Sequence, residues 1–89
     1  MTIQYFAYLR NITGCKQESL PVQPDVRTLL RSLCEKHAGL RQKFFVPGSE
    51  ELGEVIIMIN GRHIAHLGEL DAALCDTDTV QIFPVVAGG

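Results

Sequence analysis

The sequence has no long hydrophobic run and no excess of positive charge, and each absence excludes a class of protein. Its 89 residues include eight Lys and Arg against ten Asp and Glu, for a formal net charge of −2. The positive surface that drives non-specific nucleic-acid binding is missing, so we expect no nucleic-acid partner. No apolar stretch approaches the ~20 residues of a membrane span, and no basic leader follows Met1. We therefore expect a cytoplasmic protein with no membrane partner.

Cysteine is also scarce, and its pattern argues against a disulfide framework. The chain contains three separated cysteines, Cys15, Cys34 and Cys75. An odd number of scattered cysteines is typical of reduced thiols. His37 follows Cys34 on one helix face, and we interpret the two as a core cysteine and a helix-ending histidine rather than a nucleophile pair. His63 and His66 are predicted near a strand, where their spacing directs them to opposite faces, so we expect no metal site.

The residues that are present indicate one small folded domain. Hydrophobic residues make up 46% of the chain and charged residues 20%, which is the balance of a globular protein with one modest core. Alternation of apolar and polar residues, or a short apolar run, predicts five strands, at residues 3–9, 18–22, 55–59, 62–65 and 79–83. Asn60-Gly61 between the third and fourth of them is a strong hairpin signal, since a type I′ turn needs positive φ at both positions.

One helix is predicted between the second and third strands. Asp25 can cap its first turn, and apolar residues recur after it at helical spacing, at Val26, Leu29, Leu30, Leu33 and Cys34. Gly39 is a stop signal. Residues 40–53 are irregular, and we expect Phe44, Phe45 and Val46 to fold back on the edge of the core.

This order of elements predicts an α+β fold. One helix packs on one face of a mixed sheet of about five strands, with the first and last strands side by side and parallel. A β-grasp sheet is the most economical such arrangement. We expect the domain to span residues 1–83, because Pro84 cannot donate to a strand ladder, and residues 84–89 to form a flexible tail.

Strand parity divides the side chains between the two faces of the sheet. It directs Ile3, Tyr5, Ala7, Val80 and Ile82 toward the helix. It leaves Phe6, Tyr8, Met58 and Phe83 outside, as an apolar patch of the kind that marks a protein interface. The alternative is that residues 40–53 cover these side chains.

The carboxyl-terminal tail carries the chemistry in this interpretation. Gly88 and Gly89 have no Cβ, so a backbone ending in them can thread a narrow channel. The reactive group at the tip is the α-carboxylate of Gly89. Val85 and Val86 are apolar residues that a partner would bury.

Four segments together resemble one known family. In order along the chain, YFAYLRNITG, VRTLLRSLCEKH, VIIMINGRHIAHLGELDAAL and DTDTVQIFPVVAGG are similar to the small sulfur-carrier subunit of molybdopterin synthase and its archaeal-type relatives. The resemblance implies a ubiquitin-like β-grasp and a terminal glycine that an ATP-dependent activating enzyme adenylates. The glycine then becomes a thiocarboxylate and delivers sulfur inside the large subunit of molybdopterin synthase or an equivalent acceptor enzyme.

The resemblance also assigns roles to residues of this chain. Gly89 is the acyl site, and Gly88 and Ala87 thread the partner's channel. In the resembled family the outer face of the sheet binds the partners, so the predicted partner-binding residues are Phe6, Met58 and Phe83, which parity places there, together with Pro84. The protein is then a carrier and not an enzyme on its own. It binds no cofactor, and ATP is used by the activating enzyme.

Three alternatives stay open. A ubiquitin-like modifier would end in an amide bond between Gly89 and a lysine. A sulfur carrier could serve another pathway, such as thiamin synthesis, and a plain interaction domain would have an inert tail. The chain also departs from the family twice. Val85 stands where a second proline is common, and Thr77 stands where glycine is frequent, which costs ~1 kcal/mol or more if that position needs positive φ.

Overall fold

A computed structural model describes residues 1–85 of the chain. The strands are β1 (Thr2–Tyr5), β2 (Gln17–Ser19), β3 (Val55–Ile59), β4 (Arg62–His63) and β5 (Thr79–Pro84). The helices are α1 (Leu9–Thr13), α2 (Val26–Lys36) and α3 (Arg41–Phe44), and short 3₁₀ turns cover Ile64–His66 and Glu69–Asp71. The one predicted helix is therefore joined by two shorter ones.

The five strands form one mixed sheet in the order β2-β1-β5-β3-β4. The first and last strands, β1 and β5, lie side by side and parallel, and every other pairing is antiparallel. This topology with α2 packed across it is the ubiquitin-like β-grasp, so the predicted α+β fold is confirmed.

The core lies between the sheet and α2. Asp25 caps the helix by accepting a 2.8 Å hydrogen bond from the Thr28 N–H. The apolar face of α2 contributes Val26, Leu29, Leu30 and Leu33, all fully buried. The sheet supplies the opposite wall from its inward positions, Ile3, Tyr5, Ile57, Val80 and Ile82.

The first strand is shorter than predicted. It ends at Tyr5, because Ala7 adopts a left-handed backbone (φ 53°) that breaks the alternation. Ala7 is therefore exposed rather than directed at the helix. Leu9 is buried as the first residue of α1, and Tyr8 packs against the core, where the Lys43 ammonium lies 5.2 Å from its ring centre. The predictions for Ala7, Tyr8 and the end of this strand were wrong.

The last strand is longer than predicted. Pro84 pairs with Val55, and the N–H of Val85 donates to the Glu54 carbonyl at 3.0 Å. Successive N–H groups of a strand point to opposite sides, so the missing N–H of Pro84 faces the side on which β1 has already ended. The folded sheet thus extends through Pro84, one residue beyond the predicted end of the last strand.

Two other strands also end early. β2 covers residues 17–19 and not 18–22, and Pro21 follows it closely. β4 has two residues, because the chain turns into a 3₁₀ turn at Ile64. The His63 Nδ1 accepts the Ala65 N–H at 3.0 Å and caps that turn.

Residues 40–53 complete the core instead of covering the outer face of the sheet. Phe44 and Phe45 are buried as predicted, whereas Val46 is exposed. The Gly53 N–H donates to the Phe44 carbonyl at 2.7 Å, and a Cβ on Gly53 would lie 2.6 Å from the Lys43 carbonyl oxygen. Glycine is therefore required where this segment closes on itself.

Among the helices formed by residues 1–85, none has both the length and the apolar character that crossing a membrane requires.

Candidate functional site

The outer face of the sheet carries Phe6, Met58 and Phe83, as parity predicted. We call these three residues the apolar patch. Pro84, the fourth predicted partner-binding residue, lies at the end of β5 in register with the inward-facing Val55 and so follows the patch without sharing its face. The Phe6 and Phe83 rings stack, with centroids 4.2 Å apart and planes 11° from parallel. Phe6 reaches this position because its N–H donates to the Ile82 carbonyl and continues the β1–β5 pairing by one residue. The three patch residues and Pro84 are half-buried.

Ile56 belongs beside the apolar patch and was not predicted there. It lies opposite Phe83 in the β3–β5 register and is half-buried. The signal was available, since Val55, Ile57 and Ile59 point inward and alternation then sends Ile56 outward together with Met58. An all-apolar strand conceals that alternation.

The rest of the outer face is polar but uncharged. Gln4 links to Gln17 and to Gln81 through amide hydrogen bonds of 3.4 Å, and Gln81 accepts the Gly61 N–H at 3.1 Å. These side chains form a row across the sheet next to the apolar patch. Across β1–β5, no outward-facing strand position carries Asp, Glu, Lys or Arg.

One cation lies at the border of the apolar patch. The Nε of Arg10 donates to the Tyr5 carbonyl at 2.8 Å. Its guanidinium carbon is 5.5 Å from the centre of the Phe6 ring, within cation–π range. The first turn of α1 therefore places a fixed positive charge beside the stacked rings.

The tail begins directly at the apolar patch. Phe83 and Pro84 are the last residues of β5, and Val85 follows them with 43% of its surface exposed. The predicted acyl site Gly89 and the threading residues Gly88 and Ala87 lie outside the described residues. What the structure shows is that the chain enters this segment at one end of the apolar patch.

A charged cluster on the inner face of the sheet links β1 and β2 to the end of α2. The Tyr5 hydroxyl donates to Glu18 Oε2 at 2.6 Å, His37 Nε2 lies 2.6 Å from the same oxygen, and Lys36 pairs with the other oxygen. Burial pushes the pKa of Glu18 upward, but the hydrogen bonds from Lys36, Tyr5 and His37 outweigh it and lower that pKa from 4.5 to about 2. Burial also raises the pKa of Tyr5, and the bond to Glu18 raises it further. His37 is thus engaged with Glu18 at the end of α2.

Within residues 1–85, no three Cys, His, Asp or Glu side chains lie close enough together to hold a metal ion. Burial raises the pKa of the half-buried Cys34 thiol, which makes it a poor nucleophile. Cys75 is exposed.

Comparison with known proteins identifies the family. The family model described as ThiS matches residues 3–89. The chain belongs to the ThiS family of ubiquitin-like sulfur carriers. It is also 36% identical to small archaeal modifier protein 3 of Haloferax volcanii, over 100% of this chain and 98% of that protein.

Two solved structures extend the likeness of this ThiS-family chain to the fold. Small archaeal modifier protein 1 of Methanosarcina acetivorans is 37% identical and superposes with a TM-score of 0.84, covering 99% of this chain and 94% of that one. A putative molybdopterin converting factor subunit 1 from Pyrococcus furiosus is 32% identical with a TM-score of 0.74, covering 96% and 95%. Members of the ThiS family are small carrier or modifier proteins and not enzymes.

One of the two departures from the family pattern has no backbone cost. Thr77 is not among the non-glycine residues of positive φ within residues 1–85, which are Ala7, Asn60 and Glu69. The turn before β5 therefore accommodates threonine in place of the glycine that is frequent in the ThiS family.

Proposed function

We propose that this protein is a cytoplasmic sulfur carrier for molybdopterin or tungsten-pterin cofactor biosynthesis, with Gly89 as the acyl site. The observation that carries the proposal is the ThiS-family match, which runs through the Gly88-Gly89 end of the sequence. The likeness to the Pyrococcus protein favours the molybdopterin pathway. The position of the apolar patch at the root of the tail fits a carrier that docks with its sheet and presents its terminus.

The chemistry needs an activated carboxyl group. The Gly89 carboxylate attacks the α-phosphorus of ATP on an activating enzyme, and pyrophosphate leaves. A sulfide-level donor then attacks the acyl carbon, AMP leaves, and a thiocarboxylate forms. The adenylate supplies the leaving group that a carboxylate lacks. The resulting sulfur anion is a strong nucleophile for transfer to an acceptor such as the large subunit of molybdopterin synthase.

The folded body contributes reach and docking. Five residues follow Pro84, so the segment from Val85 can span at most ~17 Å. A reactive atom at its end can enter a buried site while the apolar patch binds outside that site. In this mechanism no side chain of residues 1–85 takes part in the chemical step.

The test is an intact-mass measurement. Incubation of the protein with its host's activating enzyme, ATP and sulfide should replace one carboxyl oxygen of Gly89 by sulfur. Deleting Gly89, or adding an alanine after it, should abolish the mass change without altering the folded domain. Val22→Ala, a change at an exposed residue outside the apolar patch, is the matched control and should react normally. An unchanged wild-type mass, under conditions that convert a known carrier, would contradict the proposal.

A second function is favoured by the similarity to a small archaeal modifier protein. In that case Gly89 is activated in the same way, but a lysine amine attacks the acyl carbon of the adenylate, AMP leaves, and an amide bond forms. Mass spectrometry of host proteins purified with the tagged chain separates the two. Peptides branched at lysine through Gly89 indicate a modifier, whereas a thiocarboxylate without such peptides indicates a carrier.

A further inference from the structure

Arg10 differs from most arginines of the described chain in having no carboxylate partner. Arg27 pairs with Asp71 at 3.0 Å, and Arg31 and Arg41 pair with Glu50 at 3.4 and 3.8 Å. Within residues 1–85, no carboxylate forms an ion pair with Arg10. Its charge is therefore unbalanced at the point where the apolar patch borders α1.

The side chain of Arg10 is nevertheless held in place. Its Nε bonds to the Tyr5 carbonyl, and its guanidinium lies over the Phe6 ring. The residue is half-buried. A guanidinium has five N–H donors and only one is used in this bond, so the group is oriented before any partner arrives. Little side-chain entropy is then lost when a partner binds it.

Binding at the apolar patch would change the surroundings of this charge. A partner that buries the Phe6–Phe83 stack also removes water from Arg10, which contacts Phe6. A desolvated cation is costly unless a carboxylate pairs with it. The outward-facing positions of β1–β5 carry no acidic residue, and the exposed Glu54, one residue before β3, forms no ion pair with Arg10 within residues 1–85. We therefore expect the compensating charge to come from the partner.

The geometry points to a partner surface with two matched features: an apolar socket for the Phe6–Phe83 stack, and an Asp or Glu carboxylate beside it that pairs with Arg10. Arg10 then selects the partner and sets its orientation on the sheet. The neighbouring row of glutamines carries no charge, so its contribution to affinity should not depend on the charge of the partner. This inference rests on the proposed function, since it concerns the protein that binds the carrier.

The experiment is a titration of the carrier with its host's activating enzyme, at low and at high salt. Arg10→Glu should weaken binding at least ~30-fold, because it places two like charges together in a desolvated contact. Arg10→Gln removes the charge and should weaken binding less, and its affinity should depend less on salt than that of the wild-type protein. Arg62→Glu is the matched control. Arg62 is exposed on the edge strand β4, also has no ion pair within residues 1–85, and its reversal should change affinity less than ~3-fold.

Three further measurements complete the test. Chemical denaturation of each variant shows whether the fold is intact, and Arg10→Gln provides the comparison if Arg10→Glu unfolds. Changing one acidic residue of the activating enzyme to arginine should restore binding to Arg10→Glu, which identifies the paired carboxylate. Sedimentation of the wild-type carrier alone shows whether a second copy of the chain occupies the apolar patch.

Unchanged affinity of a folded Arg10→Glu variant for an enzyme that converts the wild-type protein would overturn the inference and leave the carrier function standing. Self-association that Arg10→Glu abolishes would also overturn it, since the carboxylate would then belong to a second copy. If the wild-type protein neither binds the enzyme nor gains sulfur, the proposed function falls, and the inference falls with it.

Discussion

Phe83 contributes both to the folded domain and to the proposed interface. Its ring is half-buried because it stacks on Phe6, so part of its apolar surface is already removed from water in the monomer. An aromatic pair of this kind stabilises by ~0.5–1.5 kcal/mol beyond the burial of its area. The stack thus preforms the surface that a partner would bind.

Replacing Phe83 by alanine should therefore cost about 1–2 kcal/mol of folding stability, from the lost stacking and the lost apolar burial together, and weaken partner binding by about 1–2 kcal/mol or more. Ile82→Ala is the comparison within the same strand, because Ile82 is fully buried on the inner face. It should lower stability by about 2–5 kcal/mol. Urea denaturation gives the first quantity and titration with the activating enzyme the second. A larger stability loss for Phe83→Ala than for Ile82→Ala would show that Phe83 belongs to the core.

Among the elements, α2 is the one whose start and apolar face the local sequence predicts most directly. Asp25 adopts an extended backbone and accepts the Thr28 N–H, and the buried stripe follows at helical spacing. That backbone hydrogen bond is the largest cause of the lowered pKa of Asp25. The helix covers the inner face of the sheet, so a change that destabilises its first turn also weakens the packing of the core.

Asp25→Ala should destabilise the domain by about 0.5–2 kcal/mol, because one N–H of the first turn loses its partner. Asp25→Ser keeps a side-chain acceptor and should recover most of that loss. Thermal unfolding of the two variants and the wild-type protein at one pH makes the comparison. Equal destabilisation by alanine and serine would mean that the Thr28 bond does not stabilise the helix.

The hairpin turn between β3 and β4 is a second element that the local sequence predicts. Asn60 and Gly61 have φ values of 52° and 83°, as a type I′ turn requires. The Asn60 side chain also bonds to Asp78 and to the Thr79 N–H, which ties the turn to the start of β5. Those two bonds join residues 18 and 19 positions apart, so spacing in the sequence did not reveal them.

At the scale of the whole molecule, the cluster around Glu18 joins three elements. Tyr5 is on β1, Glu18 on the edge strand β2, and Lys36 and His37 at the end of α2. The Glu18 side chain is 11% exposed, so its hydrogen bonds are largely shielded from water. Global stability should depend on the charge of this one carboxylate.

The pH dependence of unfolding should report that charge. The pKa of Glu18 is about 2 in the folded protein, against 4.5 ordinarily. A group whose folded pKa is lowered stabilises the protein fully above its unfolded pKa. That stabilisation is lost as the pH falls from about 4.5 toward 2. Glu18→Gln should cost about 1.5–3 kcal/mol at pH 7 and much less at pH 2.

Glu35→Gln is the control for this measurement, since Glu35 is exposed on α2 and forms no ion pair within residues 1–85. Its denaturation midpoints should follow those of the wild-type protein across the acid range. A Glu18→Gln variant with the wild-type pH profile would show that the cluster does not stabilise the fold.

The sequence by itself determined the order of the five strands and of α2, and with it the α+β class of the fold. Three local signals predicted these elements, and each involves only neighbouring residues. They are Asp25 with the apolar stripe from Val26, the apolar run Val55–Ile59, and the pair Asn60-Gly61. Periodicity and turn chemistry report such local effects directly. The resemblance in four segments likewise identified the family that the comparisons confirm.

Only the tertiary structure decided where strands end and what lies beside the apolar patch. β1 stops because Ala7 turns left-handed, and β5 continues through Pro84 because β1 has ended on the side where its N–H is missing. Arg10 reaches the Phe6 ring through its bond to Tyr5. These outcomes depend on which strand lies next to which, and pairings between residues far apart in the chain leave no local signal in its sequence.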